Sequence, residues 1–207
     1  MSITIDKLGE RELDILKELG NIGAGNAATA LSQILARKVD MNVPQVKVYN
    51  VTDVPELLGG AENIVVGVLL KMFGDLQGNI MFLLPEDSAR KLLGMMVGQE
   101  VEDVTDDMSR SAIMEVGNII ASSYLNSLSF FSELTLIPST PAFAYDMAGA
   151  LLSAVLFEVS ELSDQVVLIE TDFSGNGEAI KGHFFVLPNL ESLNALLKLV
   201  VAKVDGK

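Results

Sequence analysis

The sequence predicts a mixed α/β (α+β) fold assembled as a tandem repeat, and three observations carry that prediction. First, Leu13-Asp14-Ile15-Leu16-Lys17-Glu18-Leu19-Gly20-Asn21-Ile22 is answered by Arg110-Ser111-Ala112-Ile113-Met114-Glu115-Val116-Gly117-Asn118-Ile119, with Glu, an apolar residue, Gly, Asn and Ile in the same order. Second, a proline follows each asparagine at the same separation, Pro44 after Asn21 and Pro141 after Asn118. Third, Gly78-Asn79-Ile80-Met81-Phe82-Leu83-Leu84-Pro85 is echoed by Gly182-His183-Phe184-Phe185-Val186-Leu187-Pro188, and each run leads into a helix-like segment. A recurrence of this kind is sought before any motif, because it decides the architecture. It divides residues 1–207, expected to form a single domain, into repeats of approximately 8–98 and 105–204.

Each element has its own signal. Glu10 to Ala36 reads as a long amphipathic helix, with Leu13, Leu16, Leu19, Leu31 and Ile34 on its apolar stripe. Its counterpart begins near Asp107 or Thr105, either of which can cap it, and runs to about Phe131. Strands are predicted at Val39 to Val43, Val46 to Val51, Ile64 to Met72, Gly78 to Leu84, Leu134 to Ile137, Val166 to Thr171 and Gly182 to Leu187. Pro85 and Pro188 are placed to open the helices Glu86 to Val97 and Leu190 to Val204 at their first turn. Ser174-Gly175-Asn176-Gly177 reads as a loop. Met147 to Val159 reads as either a helix, from its Ala and Leu content, or a buried strand, from its apolar continuity.

Composition narrows the function classes. Acidic side chains outnumber basic ones by 28 to 14, a formal charge of −14, which repels nucleic-acid phosphates and anionic lipid headgroups. Neither nucleic acid nor membrane is therefore an expected partner. The mean hydropathy of +0.39 supplies a large core. Met147 to Phe157, the longest apolar stretch, falls short of the ~20 residues of a spanning helix, and MSITIDKLGE does not read as a secretory signal. Without cysteine there is no disulfide framework, thiolate zinc site or cysteine nucleophile, and the expected location is cytoplasmic.

The chemistry-bearing pattern is the repeated triad. Asp14, Glu18 and Asn21 stand at offsets of four and three, so they project from one stripe of a helix, and Ser111, Glu115 and Asn118 have the same offsets. Each stripe holds one carboxylate and one carboxamide in common, with no histidine to form an acid/base pair. A solvated helix face has the same composition; the repetition and the adjacent helical glycines, Gly20 and Gly117, favour a site. Those glycines are expected to let another protein's backbone approach the asparagine. Gly20 to Asn26 lacks the Gly-Lys-Ser/Thr ending and preceding strand of a phosphate loop, so its small residues are expected to serve close packing. His183 reads as a structural histidine, and Glu100, Glu102, Asp103, Asp106 and Asp107 as solvated charge that suits a helix start.

The pattern Asp or Ser, three residues, Glu, two residues, Asn, then twenty-two residues and Pro resembles the signature of the CheC, CheX and FliY chemotaxis phosphatases. Asp14, Glu18, Asn21 and Pro44 match it once, and Ser111, Glu115, Asn118 and Pro141 a second time. The surrounding text, ELGNIGAGNAATALSQ and EVGNIIASSYLNSLS, is similar to CheC, and the resemblance runs over essentially the whole chain. It implies a pseudo-twofold layer, one mainly antiparallel sheet with strands from both halves and the two long helices packed on one face. It further implies hydrolysis of the aspartyl phosphate of a CheY-type response regulator, with Asn21 and Asn118 orienting the water and Glu18 and Glu115 engaging the regulator's lysine. A carboxamide suits that task because it donates and accepts hydrogen bonds without becoming charged. No cofactor or metal of the chain's own is implied; the divalent cation, Mg, belongs to the regulator.

The same resemblance implies a second partner, the receptor deamidase CheD, docking near Asp146, a residue that composition alone reads as a helix cap before a core segment. Two intact motifs imply a self-sufficient monomer. The alternative function class is a non-catalytic adaptor that sequesters CheD or phosphorylated CheY, and the presence of both Asn21 and Asn118 favours catalysis over it.

Overall fold

The computed structural model describes residues 9–36, 38–160, 165–175, 178–180 and 182–205. In chain order it contains α1 (Glu10–Leu35), β1 (Val39–Asn50), a 3-10 segment (Val51–Leu58), β2 (Ile64–Gly74), β3 (Gly78–Pro85) and α2 (Glu86–Val97). There follow α3 (Asp107–Ser132), β4 (Leu136–Pro138), β5 (Ala142–Met147), α4 (Ala148–Ser160), β6 (Gln165–Gly175), β7 (Glu178–Ile180), β8 (His183–Pro188) and α5 (Leu190–Asp205). Both long helices have 26 residues.

All described strand pairings are antiparallel. At the centre β3 pairs with β8, the two strands that echo one another in sequence, from Gly78 opposite Pro188 to Leu83 opposite His183. Each half gives its first strands to the other: β1 pairs with β6, and β4 and β5 pair with β2. In hydrogen-bond terms the single expected layer is two groups, a three-stranded β1-β6-β7 and a five-stranded group of β4 and β5 on β2, then β3 and β8. β6 gives one edge to β1 and the end of the other to β7, while packing beside β8.

Alternation along the central strands feeds two cores. Val66, Val68, Leu70 and Met72 of β2, Ile80, Phe82 and Leu84 of β3 and Phe184 and Val186 of β8 face the larger one, under α1, α2, α3 and α5. Val65, Met81, Leu83, Phe185 and Leu187 face the smaller one, covered by α4 and the 3-10 segment. A strand covered on both faces reads as an unbroken apolar run, which is how these appeared in the sequence. The two long helices do lie on one face; the opposite cover was not foreseen.

Several expectations are corrected. Pro85 occupies the cap position before α2, and Pro188 ends β8, so neither opens a helix. α5 instead starts after Asn189, whose Oδ1 accepts from the Ser192 amide at 2.8 Å. Ile34 is exposed and Leu35 takes the inward place, because the turn of the helix carries the stripe one residue on. Met147 to Val159 resolves as a helix from Ala148, preceded by the unforeseen β5. Of the expected loop, Ser174 and Gly175 belong to β6, and residues 176 and 177 lie outside the described set. Among the described residues no helix is long and apolar enough to cross a membrane.

Candidate functional site

The two triads have matching environments. Asp14 and Glu18 on α1 are exposed and Asn21 is half-buried; Ser111 and Glu115 on α3 are exposed and Asn118 is half-buried. At 1.5 Å per residue each triad spans about 10 Å of helix. The asparagines sit where the exposed face turns toward the core, while the glutamates stand in solvent.

The helices meet beyond the triads. The position of a Cβ on Gly23 would lie 2.4 Å from Tyr124 Cδ2, so only glycine admits that ring, and the Asn26 amide donates to Ser127 Oγ at 2.8 Å. Gly23 and the buried Ala24 therefore serve helix packing, as expected of that run, whereas Gly25 is exposed with open space around it. Gly20 and Gly117 do not serve a visiting backbone: both are buried, and a Cβ on Gly117 would lie 2.6 Å from Val68 Cγ1. Gly117 lets α3 settle onto β2, which fixes the height of the neighbouring Asn118 above the sheet.

α3 is capped by Asp106, which stands between the two candidates the sequence offered. Asp106 Oδ1 accepts from the Met108 and Ser109 amides, both at 2.9 Å, and Oδ2 accepts from the Ser109 hydroxyl at 2.7 Å. The Ser109 amide and hydroxyl hold this carboxyl below its ordinary range. Thr105 does the same for Asp103, through its hydroxyl first and its amide second.

Pro44 lies in β1 where the register shifts between Asn42 and Gln45, its side chain outside the described set. Pro141 is half-buried immediately before β5. Asp146 is exposed near the end of β5 opposite Val65. It does not cap α4: its Oδ1 accepts from Met147, whereas the amides of Ala148 and Gly149 donate to the Asn63 and Ala61 carbonyls. His183 is half-buried and stacked on Phe185 with ring centroids 5.8 Å apart. Among the described residues no group of three or more His, Asp or Glu is placed to hold a metal ion.

Sequence reasoning missed the side chains that tie β5 to the helices. Arg110 lies over the Phe143 ring, 5.1 Å from its centroid. Arg90 donates to Glu86, and the Tyr145 hydroxyl donates to Glu86 Oε2 at 2.9 Å. The Arg90 hydrogen bond, then that from Tyr145, holds the Glu86 carboxyl below its ordinary range, and the same contact pushes the Tyr145 hydroxyl up. The aromatic alternation of Phe143 and Tyr145 around Ala144 was a readable strand signal. Their partners, far away in sequence, carried none.

Fold and site together define an α/β scaffold that presents two carboxylate–carboxamide helix faces. Residues 12–48 match the model of the CheC-like family, and residues 66–153 match that of the chemotaxis phosphatase CheX. The CheY-P phosphatase CheC of Bacillus subtilis is 38% identical over 193 residues, 90% of this chain and 92% of that protein. The chain belongs to the CheC-like family. Among solved structures, Thermotoga maritima FliY superposes with a TM-score of 0.75 at 24% identity, over 95% of this chain and 98% of that one. The CheX–CheY complex with BeF3 and Mg from Borrelia burgdorferi matches with a TM-score of 0.54 at 18% identity, over 83% of this chain and 96% of that one.

Proposed function

We propose that this chain is a phosphatase that hydrolyses the aspartyl phosphate of a CheY-type response regulator. Kinship with the CheY-P phosphatase of B. subtilis supports the reaction. The observation that carries the assignment of residues is the matching exposure of Glu18 and Asn21 on α1 and of Glu115 and Asn118 on α3. In this reading the helix face enters the regulator's cleft, and the carboxamide of Asn21 or Asn118 donates and accepts hydrogen bonds to hold water in line with phosphorus. Glu18 or Glu115, free of the core, engages the regulator's lysine. The chain brings no cofactor of its own. The divalent cation is the regulator's and neutralises charge on the phosphoryl group.

The test is regulator dephosphorylation by the variant carrying both Asn21→Ala and Asn118→Ala, with circular dichroism to confirm folding. Turnover is expected to fall about a hundredfold or more, because a misplaced nucleophile costs that much. Near-normal turnover in the folded double variant would leave the adaptor reading in front.

A second partner, CheD, is supported by the exposed end of β5, where Tyr145, Asp146 and Met147 present two apolar side chains and a charge next to one another. Asp146→Lys should weaken CheD binding and spare phosphatase activity. Equal loss of both properties would contradict separate surfaces.

A further inference from the structure

Arg110 stands immediately before the second triad, and its surroundings single it out. The chain carries a formal charge of −14, yet the described ion pairs, Lys38 with Asp40 and Arg90 with Glu86, do not include it. Of the two acids one turn back, Asp106 is committed to capping the helix, and Asp107 forms no described ion pair with it. The guanidinium lies instead over Phe143, which is half-buried against the larger core and pairs with Val68, the residue under Gly117. A guanidinium that spends its face on an aromatic ring keeps its in-plane N–H donors for an acceptor elsewhere. Its orientation is fixed by a residue that is itself fixed by the sheet. The matching position before the first triad is Leu13, half-buried against the core, so the first face has no such donor.

We infer that Arg110 is a docking residue for the phosphorylated regulator at the α3 site and has no part at the α1 site. The inference rests on the phosphatase reading above and names the contact that recognises the substrate protein. The acceptor chemistry is a carboxylate on the regulator's surface: a site that binds Mg beside a phosphorylated aspartate is built from acidic side chains, so its rim is negative. Arg110 lies eight residues before Asn118, about 12 Å along the helix. That exceeds the screening length of about 8 Å at physiological salt, so the effect of the charge on a group held at Asn118 is largely screened. Arg110 acts by touching the partner's rim, which affects association and leaves the chemical step alone.

The experiment isolates each site and reads turnover and binding separately, using a CheY-type regulator phosphorylated with acetyl phosphate in the presence of Mg. In the Asn21→Ala background, where the α3 site works alone, Arg110→Ala should raise KM about fivefold with kcat within about twofold, flatten the salt dependence, and be partly rescued by Arg110→Lys. In the Asn118→Ala background the same substitution should change neither constant. Added to the double asparagine variant, Arg110→Ala should weaken one of two binding sites for the phosphorylated regulator. Equal impairment in both backgrounds, or a fall in kcat at unchanged KM, overturns the inference in favour of a structural role. Arg110-dependent binding without hydrolysis in the unsubstituted protein sinks the phosphatase reading and sustains this one. Hydrolysis at the α3 site indifferent to Arg110 does the reverse.

Discussion

The face on α1 and the face on α3 carry the same glutamate and asparagine at the same exposure class, on supports that differ in cap, in packing beyond the triad and in flanking charge. α1 begins at Gly9 without a side-chain cap on its first amides, whereas α3 begins under Asp106. α1 yields a notch at Gly23 for Tyr124, while the equivalent place on α3 is filled by the buried Ile120. Beside the triads stand Leu13 and Asp14 in one case and Arg110 and Ser111 in the other. The stripe geometry is what the two faces share. Packing and local charge diverge around it.

The largest expected effect comes from the contact the two faces have in common. Gly23→Ala drives a Cβ into the Tyr124 ring and pushes the long helices apart, so it should lower the melting temperature by about 5–10 °C and impair both sites together. A variant that melts normally and loses activity at one site alone would show that the helices are independent platforms. Next, if the sites act separately, Asn21→Ala and Asn118→Ala should each leave about half of the phosphate release at saturating regulator, and at low regulator Asn21→Ala, which keeps the face beside Arg110, should retain the larger share. Collapse of activity in either single variant would instead mean that one face does the work.

Smaller effects test the supports. The Tyr124 hydroxyl is buried and has no hydrogen-bond partner among the described residues, and burial pushes its pKa up. Tyr124→Phe should therefore stabilise the fold by about 1 kcal/mol in denaturant titrations. A loss of stability would reveal a partner for that oxygen. The smallest effect concerns the caps. The Asp106 carboxyl is held below its ordinary value, so its contribution is present above the unfolded value and is lost as pH falls through the folded one. Protection of the first-turn amides of α3, taken relative to their intrinsic exchange rates at each pH, should fall in that acidic window, and Asp106→Asn should remove that fall.

α1, α2, α3 and α5 were legible nearly to the residue, because amphipathic period and, after α2, Gly98 mark local boundaries, whereas α4 was left open between helix and strand. The triads were legible for the same reason: a stripe of one helix is a local property. What could not be read depends on other elements. β5 lies at the edge of its sheet with mostly exposed or half-buried side chains, so it lacks the apolar run that betrayed β2 and β3. Gly20 and Gly117 looked like openings for a visitor, and only the presence of Val68 beneath α3 shows that Gly117 was already occupied. The choice of Asp106 over its neighbours as cap was not legible, because residues 105, 106 and 107 all carry side chains able to cap. Arg110 drew no notice because its aromatic partner lies on β5, beyond the end of its own helix.

The reciprocal loan of strands has a consequence for how the molecule is made. β1 leaves the ribosome early, yet its described pairing partner, β6, spans Gln165–Gly175. More than a hundred residues must be synthesised before that ladder closes, a separation that slows folding because loop entropy is lost before the contact rewards it. β2 waits likewise for β4 and β5. A nascent chain stopped at α2 would expose strand edges and apolar faces with nothing of its own to cover them, the condition under which chains aggregate or recruit chaperones. The two halves, so alike in text, are thus not two foldable units, and cutting the gene at its apparent seam should yield two insoluble fragments rather than two small proteins.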